Sequence, residues 1–76
     1  MAKGTHDPRY QDVIAGLADA RKRAGLSQTQ LAQKLGQRQQ FVSKYESGER
    51  RLDVVEFVDV ARALGLDWAR LLEDAA

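Results

Sequence analysis

Arg38, Gln39, Gln40, Ser43 and Lys44 are the side chains in this sequence best equipped for chemistry, and the chemistry is recognition. A Gln amide carries a donor and an acceptor that match adenine N6 and N7, while Arg or Lys matches guanine O6 and N7. We read these five positions together as the polar side of one helix, set against Val42 and Tyr45. Such a face is long, polar and rich in donors, suited to reading another polar surface, and DNA is the leading candidate. Ser43 fits a phosphate contact better than a base. The parts for bond-making chemistry are missing. With no cysteine and a single histidine, thiolate metal sites and the usual His-rich sets are excluded. No histidine paired with a nucleophile and no phosphate-cradling glycine loop occurs. We expect no enzyme, no metal and no cofactor.

A reading face needs a scaffold, and residues 27–48, SQTQLAQKLGQRQQFVSKYESG, supply one. Two helical patterns, Gln28–Leu35 and Arg38–Ser47, meet at Gly36. A sharp turn at that point needs a positive φ, which only glycine adopts cheaply. Leu31, Ala32, Leu35, Val42 and Tyr45 are the inward-facing candidates. Ser27 and Gln30 form an S-x-x-Q capping box at the start of the first pattern.

Charge is divided along the chain. Residues 20–51 hold eight basic side chains against Glu46 and Glu49, whereas residues 52–76 hold six acidic side chains against Arg62 and Arg70. The positive half is centred on the reading face, which favours a phosphate-bearing partner. Arg50 and Arg51, just after that face, suggest contacts to a nucleic-acid backbone, which orient a protein without carrying sequence information.

The remaining elements follow from caps and periodicity. Residues 1–7 read as a flexible tail, with residues 8–76 as a single domain. Asp7 before Pro8 is an N-cap followed by proline at the first helical position. A helix from Pro8 to Ala24 carries Tyr10, Val13, Ile14, Leu17, Ala20 and Ala24 as its apolar stripe. Gly16 interrupts it at a cost of roughly 1 kcal/mol relative to alanine, so its position should be either exposed or tightly packed. Asp53 and Glu56 cap a helix over Val54–Leu64, whose apolar set is wider than one stripe. Asp67 caps a last short helix with Trp68, Leu71 and Leu72 on its apolar side. This surplus of apolar area suggests a homodimer seam, with Leu66, Trp68 and one edge of the fourth helix as candidates.

The stretch resembles the helix-turn-helix of Cro/repressor-type (Xre-family) DNA-binding domains. Gln28, Leu31-Ala32, Leu35-Gly36, Val42, Tyr45, Glu46 and Gly48 carry the resemblance, which runs from about Leu17 to Leu72. It implies an all-α, five-helix, lambda-repressor-like domain with the helix-turn-helix at about residues 28–47. The helix from Arg38 would be the recognition helix, reading bases with Arg38, Gln39, Gln40 and Lys44. By the same resemblance Gln28 contacts a phosphate, Arg21 and Glu46 form a partly buried ion pair, and the last helices make the dimer contact. Family members often carry a proline in the loop after the recognition helix, and this chain does not.

A chain of this length buries only about 60% of its unfolded surface, so its margin of stability is small. No apolar run long enough to span a membrane and no apolar signal core is present, which points to a soluble cytoplasmic protein. The expected function is a sequence-specific regulator of transcription, a repressor on a palindromic operator, with double-stranded DNA and a second copy as partners. The alternative is an antitoxin or protein-interaction adaptor on the same fold. An acidic or apolar face at residues 38–44 would favour that alternative, and the sequence shows the reverse.

Overall fold

Four of the five helix starts are held by a side chain that the sequence places at the right position. The computed structural model describes residues 6–75, so the expected tail lies, apart from His6 and Asp7, outside the described residues. Those residues form α1 (Pro8–Arg23), α2 (Gln28–Leu35), α3 (Gln39–Ser47), α4 (Val54–Ala63) and α5 (Trp68–Ala75), with no strand among them. At α1 the Asp7 carboxylate accepts the Arg9 backbone N–H at 2.8 Å. The Arg9 guanidinium on the same carboxylate holds its pKa down at about 2. Ser27 and Gln30 close the capping box of α2 at 3.0 and 2.8 Å. Asp53 and Glu56 do the same for α4 at 2.7 and 3.0 Å, and Asp67 accepts the Arg70 N–H at 3.2 Å.

The boundaries differ slightly from those expected. Arg38 lies outside α3, in an extended conformation at the N-cap and without a side-chain cap bond. Arginine has no acceptor to offer the free amides of a helix start, which explains the missing cap bond. Likewise Ala24 and Leu64 are C-caps, not the last helical residues. At Gly36 the backbone takes the left-handed conformation (φ 67°) on which the turn between α2 and α3 depends.

All four of the first helices contribute to one core. Val13, Ile14 and Leu17 meet Leu31 and Ala32, Val42 and Tyr45, and Phe57, Val60 and Ala61, with Leu52 of the α3–α4 loop joining them. Tyr10 ties that loop back to α1: its hydroxyl accepts the Leu52 backbone N–H at 2.9 Å. α5 packs on α1 and α4. Here the place of Gly16 is explained, because a Cβ on it would lie 3.1 Å from Leu71 Cδ2, closer than ordinary contact. The missing side chain lets α5 settle against α1. Among the described residues no helix is long and apolar enough to cross a membrane.

Tyr45 sits at the centre of the core with no exposed surface, yet among the described residues its hydroxyl has no hydrogen-bond partner. Burial pushes its pKa up. An unpaired buried hydroxyl costs about 1–3 kcal/mol of desolvation. Tyr45→Phe is therefore expected to raise stability by about 1 kcal/mol in urea unfolding, whereas a loss would reveal a partner for the hydroxyl.

Candidate nucleic-acid interface

α3 buries Val42 and Tyr45 and turns the opposite arc outward. At 100° per residue that arc contains Gln39, Gln40, Ser43, Lys44 and Ser47. Gln39, Gln40 and Lys44 are exposed, as is Arg38 at the N-cap, and no partner holds any of the four side chains among the described residues. Their donors are free for an external ligand. Ser43 is less available, since its hydroxyl donates to the Gln40 carbonyl at 3.3 Å and must give up that bond to donate elsewhere. Beside the first turn of α3, Arg38, Gln40, Phe41, Lys44 and Arg50 line a shallow open recess. Three of those five residues are cationic, so the recess suits an anionic backbone.

Behind this face lies a polar cluster that fixes how α3 meets α1 and α2. Arg21 Nε and Nη2 donate to the two oxygens of Glu46 at 2.7 and 3.0 Å, and Arg21 Nη1 donates to the Leu26 carbonyl at 2.8 Å. Both side chains are about 10% exposed. Such a bidentate pair, with a carbonyl taking a further donor, satisfies most of what burial would otherwise strand. Gln28 adds a third member, its amide nitrogen donating to Glu46 Oε1 at 3.0 Å. One amide hydrogen of Gln28 remains for a ligand, and the bond to Glu46 orients it at the first position of α2. The Gln28–Glu46 contact was not legible in the sequence, because 18 residues separate the two and no local spacing relates them.

The loop after α3 also holds a constellation that the sequence did not reveal. Arg50 Nη1 and Nη2 donate to the Glu56 carboxylate at 2.9 and 2.6 Å. Glu56 thus caps α4 and binds Arg50 with the same group, and the guanidinium holds its carboxyl below the usual range. The face of the Arg50 guanidinium lies 4.9 Å from the Phe41 ring centre, and Phe41 in turn meets Tyr45 edge-on at 5.6 Å. Phe41 is half-buried against the core. The signal that could have flagged this arrangement was the double use of an acid at the third helical position, six residues after an arginine. Arg51 is exposed and stands over the Tyr10 ring at 5.7 Å.

The two seam candidates are placed differently. Leu66 is half-buried against the core, while Trp68 is 39% exposed at the start of α5. Among the described residues the most exposed large apolar side chains are Val54 and Val55, at 79% and 69%.

Two short helices joined through a left-handed glycine, the second showing an unpartnered Arg-Gln-Gln-Lys surface, define the helix-turn-helix class of DNA-binding proteins. The comparisons agree. A helix-turn-helix family model matches residues 17–71. Among solved structures, an XRE-family like protein from Pseudomonas syringae pv. tomato str. DC3000 is similar at 49% identity and a TM-score of 0.83, over 88% of this chain and 82% of that one. No curated protein matches significantly. The chain belongs to the Xre-type helix-turn-helix family, a family of DNA-binding transcription regulators.

Proposed function

We propose that the protein is a sequence-specific repressor that binds a palindromic operator as a homodimer. The single observation that carries this reading is the exposed, unpartnered donor surface of Arg38, Gln39, Gln40 and Lys44 on an otherwise well-anchored helix. In this reading α3 enters the major groove, where only such side chains distinguish all four base pairs. Gln28, Arg50 and Arg51 beside it, and Ser43 on it, meet phosphates, which sets the register of the reading helix. Two copies related by a twofold axis would present their α3 helices about 34 Å apart, one turn of duplex. Occupying such a site near a promoter suffices for repression. Selection from random duplexes tests the reading: it should return a two-part consensus with inverted symmetry. A consensus without symmetry would refute the palindrome, and no enrichment at all would refute sequence-specific binding.

Arg50 makes a distinctive contribution. To reach a phosphate its guanidinium must leave Glu56, so the acid competes with DNA for one cation. Glu56→Gln should therefore tighten binding to every duplex alike, by a few-fold, and steepen the salt dependence of the affinity by up to one phosphate contact. Arg50→Ala should weaken every duplex alike and flatten that dependence. Titrations over a series of salt concentrations with both variants check the pair of expectations.

A further inference from the structure

From Arg38 to Lys44 the sequence holds no aspartate or glutamate. The nearest acids are committed elsewhere. Glu46 accepts from Arg21 and Gln28, and Glu49, past the end of α3, accepts from Ser47. Arg38 and Lys44 can only donate. Ser43 and Ser47 are short, and their hydroxyls donate to the Gln40 and Lys44 carbonyls of their own helix. The reading face is therefore rich in donors and poor in acceptors. Gln39 Oε1 and Gln40 Oε1 are the two side-chain acceptors on it with the reach to enter a groove. Both amides are exposed and unpartnered among the described residues.

This imbalance limits what can be read. In the major groove most base atoms accept, and only adenine N6 and cytosine N4 donate. Any base amine read by this face must be met by one of the two glutamines. Their amides place a donor beside the acceptor, which matches adenine, where N7 accepts next to the N6 amine. Cytosine N4 has no such neighbour in the groove.

One substituent on adenine defeats the match. In the base pair one N6 hydrogen is held by thymine O4, and the other points into the groove beside N7. When N6 carries a methyl group, its remaining hydrogen stays in the pair and the methyl takes the groove position. A carbon then stands where the glutamine oxygen has to approach. Turning the amide over only sets its NH2 group against the same carbon. The amide is left desolvated without its partners, which costs more than the contact alone. No further acceptor of similar reach on the face can take over.

We propose that the protein senses the methylation state of its operator. It holds duplex whose contacted adenines are unmodified and releases the same duplex when N6 is methylated, with Gln39 and Gln40 as the sensing side chains. The inference rests on the base-reading function proposed above and adds regulation at that same surface.

Fluorescence anisotropy of the full chain on synthetic versions of the duplex returned by selection tests it. An N6-methyl group on a contacted adenine in one half-site should weaken binding about tenfold or more, as the loss of one bidentate pair would. The same group on an adenine outside the half-sites should change binding less than about twofold, because no side chain reads that base. Of Gln39→Ala and Gln40→Ala, the variant that lacks the glutamine facing the modified adenine should bind both duplexes within about twofold of each other, as a double-mutant cycle requires. The other variant should keep the discrimination of the parent. Low salt holds both variants on DNA for the comparison. Equal affinity of the parent chain for the two duplexes, undiminished discrimination in both alanine variants, or a consensus with no adenine in its half-sites would each overturn the proposal. Tight binding to the unmethylated consensus would in those cases leave sequence-specific reading standing. Failure to enrich any duplex would instead refute the reading itself, and this inference with it.

Discussion

Replacing Glu46 by leucine is expected to destabilise the fold by about 3 kcal/mol, near the lower end of the 3–5 kcal/mol typical for breaking a buried ion pair. Arg21 would keep only the Leu26 carbonyl, and its charge would remain about 90% removed from water. Arg21→Met should cost somewhat less, because Gln28 still donates to the orphaned carboxylate. The combined Arg21→Met/Glu46→Leu chain should recover much of the loss, since two apolar side chains of similar volume need no partners. Urea unfolding of the four proteins yields the coupling energy. Losses that simply add would contradict the pairing. The same series also bears on DNA, because Gln28 loses its orienting acceptor whenever Glu46 is absent. Glu46 variants should bind all duplexes more weakly even under conditions where they are fully folded.

Loss of base recognition is the second large effect. Lys44→Ala and Gln39→Ala should each cost about 1–3 kcal/mol of binding energy on the selected duplex and much less on an unrelated one. Neither side chain has a partner to lose among the described residues. Stability should therefore stay within about 0.5 kcal/mol of the parent, as for other exposed positions. Fluorescence anisotropy on matched and scrambled duplexes separates the outcomes. An equal loss on both for Gln39→Ala would mean that its amide touches the backbone or nothing at all.

The fold was legible where local chemistry dictates local structure. Asp7-Pro8, Ser27 with Gln30, and Asp53 with Glu56 mark helix starts because their side chains can satisfy free amides a few residues on, and each does so. The core positions of α2 and α3 followed from helical periodicity, and Leu31, Ala32, Val42 and Tyr45 are buried as expected. The resemblance to a family supplied the Arg21–Glu46 pair, which no spacing rule contains. What stayed hidden depends on tertiary proximity: the Gln28 amide on Glu46, the Arg50 guanidinium between Phe41 and Glu56, and Leu71 over Gly16. Arg38 was misplaced by one residue because a helix-forming side chain without an acceptor resembles a first helical residue until the backbone is seen. Gly16 could be recognised as anomalous from sequence, but its reason lay 55 positions away in another helix.

Arg50 clasps Glu56 at the head of α4 while resting on Phe41 of α3, which ties the two helices together for as long as the guanidinium stays in place. A phosphate that drew it away would untie them, so docking on a duplex would loosen the very corner of the molecule that supplies the cation.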